Sequence, residues 1–309
     1  MSELFDLRDI QIQAYIDAID EGGNIIYLVS DSLSTSKAQP LLEKYPSRLV
    51  NTGIAEMNLI GMATGLSCVG FIPATGNASA FLTARSNEQL KVDISYSHSN
   101  VKINAMHPGF CYGQDGVTHH STYDLATILG MPDIEIFYPC DARETYQVVK
   151  YGLGHRGPVF TAYGSGKFPN VTPDGYVFTP GLPIRFAEGG SVTIIALGVA
   201  IHDVLEADIK DADVFAVTSV RPLNAEPLLD SIRRTGKVVV VEHHQVHGGL
   251  GSMVSELISD NGLNARLVRL GVPSNSFTPN IKASSIKGVL GLDAAGIRKA
   301  VDELSKSLG

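Results

Sequence analysis

The sequence predicts a two-domain α/β protein, each domain an open, mostly parallel sheet layered with helices. Three observations carry this. The 309-residue length is about twice the ~150 residues of a typical domain. Short β-branched runs alternate with stretches of helical period, the pattern of parallel strands joined by crossover helices. After Gly164 the alternation lapses into SGKFPNVTPDGYVFTPGLP, rich in Pro, Gly and Asn, and then resumes. The expected division is residues 1–170, a linker over 171–187, and 188–309.

In order along the first half, strands are expected at 24–29 (NIIYLV), 70–74, 101–105 (VKINA), 134–138 (IEIFY) and 158–163 (PVFTAY). Helices are expected at 8–21, 36–45, 55–68, 78–96, 122–129 and 141–154, the last opened by Asp141 with Glu144 three residues on, an Asp variant of the capping box. The linker holds a short extended piece at 176–179. The second half gives strands at 191–197, 213–218, 237–241 and 265–270, and helices near 199–208, 224–234, 249–261 and 293–307. No internal repeat is visible, which excludes a solenoid.

Hydrophobic residues make up 44% and charged residues 18%, ample for buried sheets. A formal charge of -8 supplies no basic field for nucleic acid or anionic lipid, so neither is expected as a partner. Three scattered cysteines offer neither a disulfide framework nor a Cys-x-x-Cys knuckle, and point to the cytoplasm. No signal peptide and no apolar run of ~18 residues is seen, so no membrane span is expected.

Ligands of open parallel sheets sit at the carboxyl ends of the strands, which nominates Ser30 and Asp31, Met106 and His107, and Glu242 to His244. Glu56, in NTGIAEMNLIGMA, is either an ordinary acid in a first helical turn or a functional carboxylate. The apolar Met57, Ile60, Met62, Ala63 and Leu66 suggest a helix buried on more than one side, where an acid needs a specific partner. In YGQDGVTHH, two glycines permit close backbone approach to a ligand, while Asp115 and His119 offer an acceptor and a proton-transfer group. In EHHQVHGGLG, His243 and His247 would share a face and could hold zinc only if helical; they follow a β-run and precede glycines, so a strand-to-helix turn at a subunit contact is expected instead. There is no P-loop, no G-x-G-x-x-G after an expected strand and no nucleophile elbow in the right place.

These pieces, with RLVNTGIAEMNLIGMATGL at 48–66, GFIP at 70–73, GQDGVTH at 113–119, YPCD at 138–141, GPV at 157–159 and HGGLG at 247–251, resemble transketolase. The resemblance is to its pyrimidine-binding and C-terminal domains, as in the small subunit of a split enzyme. It implies a transferase that uses thiamine diphosphate to move a two-carbon ketol unit from a ketose or ketose phosphate to an aldose. It implies Glu56 as the catalytic acid on the aminopyrimidine N1', His119 as a proton-transfer residue, and Asp31, Ile54 and Phe81 as further cofactor contacts. His107, Asp115, Arg8 and Lys167 are implied to bind substrate, Lys167 standing where the family's phosphate-gripping arginine is replaced by Gly164-Ser165-Gly166-Lys167. Ala78, and Ala84 or Asn87, replace further aromatics of the pyrimidine wall.

No G-D-G occurs in the chain, so Mg2+ and the diphosphate are expected on an N-terminal partner subunit, in an α2β2 heterotetramer, with no metal site here. The alternatives are the β-subunit of a 2-oxo acid dehydrogenase, disfavoured by the D-G-V-T-H loop, and a non-catalytic scaffold that kept the fold.

Overall fold

The computed structural model describes residues 3–306, and its contacts divide into two units: Met1–Pro108 with Thr127–Phe178, and Gly109–Ala126 with Thr179–Gly309. In the first unit, helix α1 (Leu7–Asp20) leads to strand β1 (Ile25–Val29), helix α2 (Gln39–Lys44), strand β2 (Leu49–Asn51) and helix α3 (Glu56–Cys68). Strand β3 (Ile72–Ala78) then enters helix α4 (Ser79–Arg85), the single turn α5 (Asn87–Gln89) and a π-helical stretch over Leu90–Tyr96. Strand β4 (Lys102–Met106), helix α6 (Asp124–Leu129), strand β5 (Glu135–Phe137), helix α7 (Ala142–Gly154) and strand β6 (Val159–Tyr163) follow; α6 is divided between the units.

The six strands of this unit pair in parallel in the order β2-β1-β3-β4-β6-β5. Strands β1, β4 and β6 are buried along their whole length, as expected of strands with helices on both faces. The order puts the carboxyl ends of β1, β3, β4 and β6 side by side, gathering Ser30, Asn77, His107 and Gly164 along one edge.

The helix expected over 78–96 is broken. Thr83, Ser86 and Asn87 each bond a carbonyl four residues back with their side chains, and Ser86 leaves helical geometry. Such back-bonding competes with the regular ladder and bends it.

The second unit contains strands β7 (Ile184–Ala187), β8 (Val192–Leu197), β9 (Ala212–Val217), β10 (Ser219–Arg221), β11 (Lys237–Gln245) and β12 (Arg266–Val272). Its helices are α8 (Ile201–Ala207), α9 (Glu226–Thr235), α10 (Leu250–Asp260), α11 (Ala283–Leu290) and α12 (Ala294–Lys306). The sheet order is β12-β11-β8-β9-β7, parallel except for the edge strand β7.

Strands β2, β7 and β10 and helix α11 go beyond the sequence expectation; β7 forms inside the stretch read as linker, while 176–179 forms no strand. Ser307, the last residue expected in the final helix, lies outside the described residues. Among the described residues no helix is long and apolar enough to cross a membrane.

Candidate active site

Glu56 opens α3 and is buried, at 5% exposure. The loop before it is stitched to the end of β1: Ala55 N–H donates to Ser30 Oγ at 3.1 Å, while Asn51 Oδ1 accepts from Asp31 N–H and Gly53 N–H, each at 3.0 Å. Gly53 has a φ of 71°, the left-handed conformation that suits glycine. These bonds fix where the helix starts and therefore where the acid stands.

The partner of the acid is not among the sequence expectations. Arg85 donates to Glu56 Oε1 at 2.9 Å, and its guanidinium lies 4.0 Å from the centre of the Phe81 ring. Phe81 and Arg85 are four residues apart on α4, hence neighbours on one helix face, a signal available from the sequence. The expectation that α3 is buried on more than one side is corrected: Met57 and Met62 are exposed, Leu66 is half-buried, and only the face of Glu56, Leu59, Ile60 and Ala63 is covered; Ile54, in the loop before the helix, is also exposed. Asp31 is exposed at a φ of 52°. Asn77, at the end of β3, is 2% exposed and its amide nitrogen has no partner, a buried donor at the strand edge.

A second group of side chains forms around His107, directly after β4, at a φ of 58°. That conformation costs a β-carbon-bearing residue about 1–2 kcal/mol, so the surroundings must hold it. Asp6, the N-cap of α1, accepts from Arg8 N–H, Nε at 3.0 Å and Nη2 at 2.6 Å, and so aims the guanidinium. Arg8 Nη1 then donates to His107 Nε2 at 2.8 Å. A guanidinium can only donate, so Nε2 accepts and the ring proton sits on Nδ1, which donates to Ser165 Oγ.

Burial, with the charge of Arg8 beside it, lowers the His107 pKa to about 4, so the ring is neutral near pH 7. Burial works to raise Asp6, but Arg8 and Lys37 outweigh it and hold that carboxyl below its usual value. Ser165, absent from the sequence candidates, is thus the residue of the Gly164-Ser165-Gly166-Lys167 turn that meets His107, whereas Lys167 is exposed.

Asp115 and His119 lie in the segment assigned to the second unit. A 3₁₀ stretch over Gly113–Thr118 exposes Asp115, and the His119 ring meets Thr118 Oγ1 through Nδ1 at 2.9 Å and Tyr112 edge-on at 5.1 Å. His120 anchors the loop: its Nε2–H donates to Gly113 O at 2.8 Å and its Nδ1 accepts from Thr278.

The residues 242–251 behave as a strand-to-helix turn. Glu242, fully buried, accepts from Leu250 N–H at 2.8 Å and Gly251 N–H at 2.9 Å and so caps α10. His243 Nε2 lies 3.1 Å from Asp203, which Lys287 also pairs at 2.7 Å. Among the described residues, no three His, Cys, Asp or Glu side chains gather as a metal site.

A parallel α/β sheet with a buried acid paired to an arginine, and an Arg–His–Ser hydrogen-bonded chain at a strand's carboxyl end, fits the class of small-molecule-binding proteins. The sequence matches the transketolase pyrimidine binding domain over residues 5–169 and the transketolase C-terminal domain over 184–297. It is 35% identical to one of the subunits of the apulose-4-phosphate transketolase of Actinobacillus succinogenes, over 96% of this chain and 97% of that one. It is 30% identical to the 6-deoxy-6-sulfo-D-fructose transketolase subunit SqwH of a Clostridium species, over 97% and 94%.

Among solved structures, a split-gene transketolase described as an inactive beta4 tetramer superposes with a TM-score of 0.88 at 33% identity, covering 97% of this chain and 98% of that one. The transketolase of Campylobacter jejuni shares the fold, with a TM-score of 0.82 at 14% identity; the chain spans 47% of its length. The chain belongs to the transketolase family of thiamine-diphosphate-dependent transferases, in the form of a split-enzyme subunit. The 2-oxo acid dehydrogenase alternative is not favoured by these matches.

Proposed function

We propose that this chain is the pyrimidine-side subunit of a two-chain transketolase that passes a two-carbon ketol unit from a ketose or ketose phosphate to an aldose. The observation that carries the reading is Glu56, buried at the head of α3 and joined through Arg85 to the face of Phe81. A buried carboxylate and an aromatic face that one guanidinium spans fit an aminopyrimidine, and the unpartnered amide of Asn77 leaves a buried donor at the end of β3. When bound, thiamine diphosphate supplies the nucleophilic carbon and electron sink that ketol transfer requires.

In this reading Glu56 holds a proton at the pyrimidine N1', Phe81 stacks on the ring, and Asp31 and Ile54 border it. Asp115 accepts from sugar hydroxyls, and His119 moves a proton at the substrate carbonyl or C1 hydroxyl. Arg8 fixes neutral His107, whose Nδ1 proton engages Ser165 and leaves the serine hydroxyl hydrogen to donate outward to the far end of the sugar. Lys167 adds a point charge to that end rather than a bidentate fork.

We also propose residues 1–170 as the pyrimidine-binding domain, 171–187 as the linker and 188–309 as the C-terminal domain, in keeping with the two matched ranges. Mg2+ and the diphosphate belong to an N-terminal partner chain, and two such pairs form an α2β2 assembly; the relatives named as transketolase subunits support a partner. A cytoplasmic setting agrees with Cys68, Cys111 and Cys140 forming no disulfide among the described residues.

The test is to mix the chain with its partner, Mg2+ and thiamine diphosphate and follow transfer between a ketose and an aldose. Glu56→Gln is expected to lower turnover at least about 100-fold, the range associated with losing a positioned acid. Undiminished transfer in that variant would remove the assignment.

A further inference from the structure

The two groups that the proposed function assigns to the pyrimidine, the Glu56 carboxylate and the Phe81 face, are both engaged by Arg85. Its guanidinium is a flat cation, stacked 4.0 Å from the ring centre, with an N–H 2.9 Å from Glu56 Oε1. A bound aminopyrimidine would require the same two things, an in-plane bond to the acid and a face laid on the ring. The acid is 5% exposed but the arginine is 49% exposed, so Glu56 belongs to the wall and Arg85 closes over it from the solvent side.

We infer that Arg85 is a placeholder: in the chain without cofactor it fills the seat between Glu56 and Phe81, and it swings out when the pyrimidine arrives. The inference rests on the proposed role of Glu56 and adds a competitor for the same atoms. Its physical basis is the cost of an unpaired buried carboxylate, which the guanidinium relieves until another donor replaces it. The side chain is suited to leaving because a half-exposed ion pair and a half-exposed cation–π contact are each weak. A long flexible stem also lets the charge move into water without moving the helix.

The test pairs two measurements. Thiamine diphosphate is titrated by calorimetry into the two-chain enzyme with Mg2+, and the thermal midpoint of this chain alone is measured without cofactor. Arg85→Met keeps the stem but removes the competing cation. It is expected to tighten cofactor binding about three- to tenfold, the combined scale of one ion pair open to solvent on its arginine side and one cation–π contact. The same variant is expected to lower the melting temperature of the isolated chain, since Glu56 loses its partner.

These opposite signs separate a placeholder from a merely structural arginine, whose loss would weaken both. Arg85→Lys, which keeps charge but loses the planar stack, should bind cofactor with intermediate affinity. In a Glu56→Gln background the gain from Arg85→Met should shrink, because the charge that holds the arginine is gone. Unchanged or weaker cofactor binding by Arg85→Met would overturn the placeholder, as would a gain that persists in full in the Glu56→Gln background. The underlying reading fails separately, if Glu56→Gln alone leaves affinity and ketol transfer intact.

Discussion

At the residue scale, the legible parts were those that the strand-end rule reaches. His107 could be nominated because it follows a β-branched run, and Glu56 because an acid stands at the head of an apolar helix. Their partners were hidden, since Arg8 and Ser165 are 99 and 58 residues away from His107 in sequence and meet it only through the fold. Arg85 was more accessible, one helical turn past Phe81, but a lone arginine at a helix end reads first as a dipole partner. The neutral His107 has a consequence for acid stability. Its folded pKa of about 4 lies below the ordinary value near 6.5, so between those values the unfolded chain takes up a proton that the native ring refuses. The stabilisation is complete above pH ~6.5 and is lost as pH falls toward 4, amounting to about 3 kcal/mol over the window. Urea unfolding of wild type and His107→Gln at pH 7 and pH 4.5 should show wild type losing more stability than the variant. Parallel losses would mean that the ring titrates normally in the native state.

At the scale of elements, long periodic segments were legible within a few residues, and the Asp141 cap was legible in kind. Asp141 Oδ1 accepts from Glu144 N–H at 2.9 Å, and Glu144 returns a bond to Cys140 N–H, one residue before the cap. What the pattern could not show is that the other Asp141 oxygen holds Val171 and Thr172, tying the start of the linker to α7. Strand β3 is longer than its pattern suggests because Gly76 and Asn77 are poor strand formers. The glycine is there for space, since a Cβ would lie 2.2 Å from the Tyr27 hydroxyl. Gly116 has φ 72° and ψ -158°, a region left almost entirely to glycine, and its Cβ would come 2.4 Å from Asn280 Oδ1. Gly116→Ala should cost about 1–3 kcal/mol locally and displace the neighbouring Asp115 and His119. Because an ångström of misplacement can cost up to about 100-fold, turnover should fall tenfold or more while the thermal midpoint drops by only a few degrees. Full turnover in a folded variant would show that the geometry of this loop does not set the rate.

At the scale of the whole molecule, the layered, mostly parallel α/β class followed from composition and alternation, because burying this many β-branched runs leaves few other solutions. The units themselves are less sequential than the pattern implied. Gly109–Ala126 follows β4 in the chain, yet its contacts fall with the second unit, where His120 meets Thr278 and Gly116 lies against Asn280. No local periodicity encodes a segment's choice between cores, so this could not be read in advance. The electrostatics of the chain also bear on what it can do by itself. A net charge of -8 opposes an anionic cofactor, no G-D-G stands in the sequence, and no three metal-ligating side chains gather among the described residues. Calorimetry of this chain alone with Mg2+ and thiamine diphosphate should therefore give no saturable binding. Adding the partner chain should produce binding, and chelating Mg2+ should remove it again. The melting temperature of this chain alone should not respond to the chelator, because ligands that would couple metal to its folding are absent from the described residues. Stoichiometric cofactor binding by the single chain, or a chelator-induced fall in its melting temperature, would mean that the diphosphate and metal are held here and that the division of labour between two chains is wrong.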